Sequence, residues 1–252
     1  MKTKILGAIL LCAVLLVGAT SCSGISEIDG MTGEELLDRV LAADESLHTC
    51  KMLITIKAEV MGMSMSFDGH GAVDSNAEEM SLDMGDITSV YIIDGWLYMQ
   101  DPYSGWMKME LTEDLWEENE PISSQLVILE QYMDAKILGT EQVMGVDCYV
   151  IEVTPDLQAL WDWAMQEEDM EGFDIEIDIE EMIKEFTIKV WIEKGTFYMT
   201  QSSIDMVMEI FGQKMTMEET ITLYDINEPV SIYLPYEAQD AVELNLSPWD
   251  TY

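Results

Sequence analysis

From Lys51 onward apolar and polar residues alternate with a period of two, and Met52, Ile54, Ile56, Ala58 and Val60 share one face. That pattern predicts a half-buried strand. Ahead of it, Thr32-Gly33-Glu34-Glu35 has the composition of a capping box, and Leu36, Leu37, Val40, Leu41 and Leu47 recur at helical spacing. An amphipathic helix is expected from Thr32 to about Leu47. Met61-Gly62 turns the chain into a second strand, Met63 to Val73, and short strands follow at Met80 to Met84, Ile87 to Ile93, Trp96 to Gln100 and Trp106 to Glu110. Asp94-Gly95 is the clearest two-residue hairpin turn.

Helix is expected again after Thr112 and after Ser123-Ser124, with Pro121 between the two pieces. A hairpin about Met144-Gly145 joins Ala135–Val143 to Val146–Thr154, and Thr154-Pro155 then opens a helix bearing Leu157, Leu160, Trp161, Ala164 and Met165. The last third reads as a long meander: Phe186 to Glu193, Thr196 to Ile210 and Lys214 to Tyr224, with turns at Lys194-Gly195 and Phe211-Gly212. Consecutive hairpins imply an antiparallel sheet, so the fold class is α+β, dominated by β.

The N-terminus has a different organisation. Lys2 and Lys4 precede an uncharged apolar run from Ile5 to Val17, then small residues and a cysteine, which is the layout of a signal peptide. Ala19-Thr20-Ser21-Cys22 resembles a lipobox, in which the cysteine is acylated and becomes the mature N-terminus. The apolar run is shorter than the roughly 20 residues that span a bilayer. Residues 1–21 are therefore expected to be a lipoprotein signal peptide, 22–31 a flexible tether, and 32–252 a single domain. The chain would stand outside the cytoplasm, anchored to a membrane through lipidated Cys22.

Charge narrows the partners. The chain of 252 residues has 50 acidic and 11 basic side chains, a net charge of −39. Phosphate backbones and anionic headgroups are repelled by such a surface, so no nucleic-acid partner is expected. Hydrophobic residues make up 48% of the chain, too many for an acidic disordered tail. Of four cysteines, Cys12 falls in the signal and Cys22 is the lipidation candidate, leaving Cys50 and Cys148. Two readings stand for that pair: a disulfide, or two buried thiols.

Other chemistry has little support. His48 at a helix end and His70 in a Gly-rich strand connection lack motif context, and GxSxG, HExxH, CxxC and phosphate-loop patterns do not occur. Asp174, Glu176, Asp178 and Glu180 alternate with apolar residues but lack the glycine and terminal glutamate of an EF-hand loop, and read as a solvated face. Neither a catalytic residue nor a metal site nor a cofactor is expected.

Several segments are similar to one family. Tyr91-Ile92-Ile93-Asp94-Gly95-Trp96-Leu97-Tyr98, Gly139-Thr140-Glu141 with Gly145-Val146-Asp147-Cys148-Tyr149-Val150-Ile151, Val190-Trp191-Ile192-Glu193-Lys194-Gly195-Thr196 and Asn227-Glu228-Pro229-Val230 together resemble the LolA, LppX and LprG superfamily of lipoprotein and lipid carriers. The resemblance implies a strongly curved antiparallel sheet, a half-barrel, whose concave face is covered by helices over an apolar cavity. It implies a carrier of lipid or another apolar ligand, and a monomer is expected.

The 21 methionines suit such a cavity, because unbranched thioethers adapt to varied apolar shapes. Met61, Met63 and Met65, the strand pairs Met206, Met208 and Met215, Met217, with Leu36, Val40, Ile54, Ile56, Trp161 and Met165, are the candidate lining. The alternative reading is a structural or envelope-sensing lipoprotein acting through protein contacts, its interior packed. A third, a hydrolase of envelope components, would need a histidine, a nucleophile and a carboxylate in one cleft.

Overall fold

The computed structural model describes residues 25–44, 46–85, 87–112, 116, 129, 132–157, 182–210 and 212–244. The signal peptide, Cys22, most of the helices expected after Thr112, Ser123 and Pro155, and the alternating carboxylates from Asp174 to Glu180 lie outside them, while Trp116, Leu129 and Leu157 are helical where expected. The described chain forms one continuous α-helix, α1 (Gly33–Asp44), a one-turn 3-10 helix (Tyr236–Ala238) and twelve strands: β1 (Thr49–Val60), β2 (Met63–Asp74), β3 (Glu79–Asp83), β4 (Ser89–Ile93), β5 (Trp96–Asp101), β6 (Gly105–Glu110), β7 (Tyr132–Val143), β8 (Val146–Pro155), β9 (Ile183–Glu193), β10 (Met199–Ile210), β11 (Gln213–Tyr224) and β12 (Val242–Glu243). They make one sheet in the order β12-β6-β5-β4-β3-β2-β1-β11-β10-β9-β8-β7. The paired strands run antiparallel except β12 on β6. None of the described helices is long and apolar enough to cross a membrane.

The chain divides into two compact units, the first made of Met1–Ser46, Thr55–Ser66 and Pro121–Thr222, the second of Leu47–Ile54, Phe67–Glu120 and Leu223–Tyr252. In the second, one line of cross-strand partners runs unbroken through five strands: Val73, Met80, Ile92, Leu97 and Met109. All five are buried, as expected where aliphatic and thioether side chains stack on one face of a sheet. The loop after β11 is tied to the start of β1, where Asn227 donates its N–H to the Thr49 carbonyl at 2.7 Å and the Thr49 hydroxyl donates to the Glu228 carbonyl at 2.8 Å.

In the first unit the capping box forms as its sequence predicts. Thr32 donates its N–H to Glu35 Oε2 at 2.8 Å, and Glu35 donates its own to Thr32 Oγ1 at 3.2 Å. Leu36, Leu37 and Val40 are the buried face of α1, which packs against β7. The helix stops at Asp44, short of Leu47, because the chain turns at Ser46, whose hydroxyl donates to the Ala43 carbonyl. Two-residue hairpins at Asp94-Gly95 and Met144-Gly145 have φ of 52° and 75°, and of 50° and 87°. These positive values match the right-handed twist of their strands, and the glycine takes the second position at no steric cost.

The strand expected from Met63 to Val73 forms as β2 and includes His70, paired with Asp83, while the missing side chains of Gly69 and Gly71 admit Met84 and Met52. Two expectations need correcting. Strand β10 starts at Met199, since Thr196 and Phe197 complete a turn in which Phe197 has φ of 65°. The segment read as a tether is ordered from Ile25 on. There the Ile25 N–H donates to the Ile137 carbonyl and Tyr149 donates its hydroxyl proton to Asp29 at 2.8 Å.

Candidate functional site

The candidate site is the inward face of β8 to β11 in the first unit, and its side chains are set by register. Four lines of cross-strand partners can be followed. Met215, Met208 and Ile183 form the first, and Met217, Met206 and Phe186 the second. The third runs from Glu219 through Ile204 and Ile188 to Val153 and Ala135. The fourth runs from Ile221 through Ser202, Val190 and Ile151 to Ile137. The two methionine pairs predicted from strand spacing are thus opposite one another, a patch of four adaptable side chains on neighbouring strands.

The remaining predicted lining is distributed unevenly. Met206 is buried and Met208 half-buried in the patch, while Leu36 and Val40 are buried between α1 and β7. Ile56 is half-buried on the same side of β1 in the first unit, and Ile54 is buried in the second. Trp161 and Met165 lie outside the described residues. Met61 and Met63 are 68% and 65% exposed at the tip of the β1–β2 hairpin, with Met65 exposed beside them. Alternation alone assigned these three inward, but an overhanging hairpin end has no packed side to face.

Glu219 is the residue that sequence reasoning missed. It stands between Met217 and Ile221 on the apolar side and is 6% exposed. Among the described residues no hydrogen bond or ion pair reaches its carboxyl. Burial alone pushes its pKa up from the ordinary 4.5 to about 7. Its neighbour Glu218 points outward and pairs with Lys57 at 2.9 Å. The signal was present in the parity of β11, which puts Glu219 in step with Met217 and Ile221. A Glu-Glu pair in an acidic chain reads instead as surface.

The opposite side of these strands is polar. There Asp205 is partly desolvated, which raises its carboxyl above the usual range. Cys148 is also on that side, its Sγ 3.2 Å from the Thr200 hydroxyl, and burial raises its thiol pKa. Cys50 is buried in the second unit. Both cysteines are buried and no bond joins them in the structure. His48 and His70 are exposed, and among the described residues no cluster of three or more His, Cys, Asp or Glu could hold a metal ion.

Fold and face define a class: an antiparallel-sheet protein with a methionine-lined apolar surface interrupted by one carboxyl group. The family model described as a family of unknown function, DUF6612, matches residues 32–243, and the chain belongs to that family. No curated protein matches it. Among solved structures it is similar to the lipoprotein LppX of Mycobacterium tuberculosis, at 16% identity over 80% of this chain and 100% of that one, with a TM-score of 0.45. It is similar to LprF of Mycobacterium bovis, at 15% identity over 81% and 96% of the two chains, with a TM-score of 0.43. A LolA superfamily protein of Nitrosomonas europaea matches at 10% identity over 80% and 96%, with a TM-score of 0.28.

Proposed function

We propose that this chain is an extracytoplasmic lipoprotein, anchored through Cys22, that binds or carries a lipid or another apolar ligand on the inward face of its sheet. The observation that carries this reading is the patch formed by Met206 with Met217 and Met208 with Met215. Buried or half-buried thioethers on adjacent strands offer a surface that reshapes around an acyl chain without a fixed register. In this reading the sheet curves as a half-barrel and helices close over the ligand, as the sequence resemblance implies. The protein acts as a monomer and has no catalytic role.

A pyrene-labelled alkane tests it. The mature chain should give a saturable fluorescence change, and Met208→Glu should weaken binding at least about tenfold by placing an unpaired charge against the alkyl chain. Absence of any saturable change would count against ligand binding.

The anchor has its own test. Metabolic labelling with a radioactive fatty acid should mark the natural protein and leave Cys22→Ala unlabelled and released or unprocessed. Equal labelling of both would remove the lipobox reading.

A second reading, an envelope sensor acting through protein contacts, is favoured by one feature. Met61, Met63 and Met65 expose apolar surface together at a hairpin tip. It predicts no alkane binding, and loss of a protein partner when these three are replaced by serine.

A further inference from the structure

We infer that Glu219 is the polar contact of the ligand site, and that the ligand is an apolar chain carrying an uncharged ester whose carbonyl accepts a hydrogen bond from the Glu219 carboxyl. The inference rests on the ligand-binding reading above and specifies what that ligand must contain.

The geometry begins with the third line of partners. In the second unit the corresponding line of five is apolar throughout, whereas here it includes a carboxyl group that is 6% exposed and without a partner among the described residues. A buried carboxyl left unsatisfied is destabilising, so its presence on a face whose other buried polar side chain is Ser202 calls for an occupant. Strand alternation does not force it there, since an apolar residue would continue the pattern of Met217 and Ile221.

The surroundings decide which occupant fits. On β10 the groups of the same side are Ser202, Ile204 and Met206, and on β9 they are Phe186, Ile188 and Val190. On β8 they are Tyr149, Ile151 and Val153, and the Tyr149 hydroxyl is engaged by Asp29. The Lys57–Glu218 pair fixes the outward side of β1, which leaves Ile56 and Ala58 inward. Of the charged residues of α1, Glu34, Glu35, Asp38 and Arg39 are exposed and Asp44 is half-buried at the last position. Among the described residues of these elements no charged side chain lies on the side of Glu219 to offset a carboxylate there. A cationic ligand would need two charges desolvated together, which seldom gives a net gain. A protonated carboxyl donating to a carbonyl oxygen buries no net charge, and the raised pKa of Glu219 keeps that form populated near neutral pH.

Three pyrene-labelled probes of equal chain length, an alkane, its methyl ester and its primary amine, separate the outcomes on the mature full-length chain. At pH 6 the ester should bind about fivefold tighter than the alkane, the effect of one net hydrogen bond. Between pH 6 and pH 8 the ester affinity should fall about tenfold as Glu219 ionises. Glu219→Gln keeps a donor and should retain the ester preference while losing its pH dependence. Glu219→Leu should bind ester and alkane alike. An ester preference that survives in Glu219→Leu overturns the inference, as does equal binding of ester and alkane to the natural chain. Preferred binding of the amine, strengthening as pH rises, would replace the ester by a cation. If the alkane itself fails to bind, it is the ligand-binding reading that falls, and this inference with it.

Discussion

At pH 8 the Glu219→Gln variant should be more stable than the natural chain by roughly 3 kcal/mol, while at pH 4 the two should unfold nearly together. In the folded chain the Glu219 carboxyl holds its proton up to about 7, whereas in the unfolded chain it ionises near 4.5. Below both values the group is neutral in both states and folding is indifferent to it. Between 4.5 and 7 the unfolded state gives up a proton that the folded state retains, so stability falls as pH rises and levels off above 7. The separation converts at about 1.4 kcal/mol per pH unit. Glutamine has nearly the same shape and no ionisation, so it isolates this one group from the other carboxylates. Urea unfolding of both proteins across pH 4 to 8 measures it. A difference independent of pH would show that Glu219 is not desolvated as its position implies.

Gly33→Ala should destabilise the first unit by roughly 1–3 kcal/mol, the range of overpacked core contacts. In an exposed helix the same change would help by up to about 1 kcal/mol through propensity. Here α1 begins directly over β7, and an added Cβ would overlap the Ala135 carbonyl oxygen and carbon. Backbone in a paired strand cannot yield as a flexible side chain does. The helix must therefore shift, loosening Leu36, Leu37 and Val40 from β7. The steric penalty exceeds the propensity gain, and denaturant unfolding should give a lower midpoint. A higher midpoint would mean that α1 does not sit this close to β7.

How much of this was legible in the sequence differs from element to element. The capping box at Thr32 and Glu35 and the alternation of β1 are local signals, and both formed with small boundary shifts. The pairing of Met206 with Met217 and of Met208 with Met215 followed from two strands of opposite direction joined at Phe211-Gly212. The parallel two-residue strand β12 was beyond reach, because its pairing with Met107 and Lys108 depends on partners more than a hundred residues away. Met61, Met63 and Met65 misled for a related reason. Period-two alternation says which residues share a face but not where along the strand that face ceases to be covered. Glu219 was hidden by composition, since one inward carboxylate among 50 acidic residues leaves no trace unless its parity is weighed above its charge.

The central claim is that the apolar face of β8 to β11 holds a ligand in the protein as made. Mass spectrometry of organic extracts from the mature chain, purified without detergent, tests it most directly. The account predicts a co-purifying ester lipid in stoichiometric amount, and its reduction in Met208→Glu. An extract with no lipid, from protein that is folded and monomeric, would contradict it.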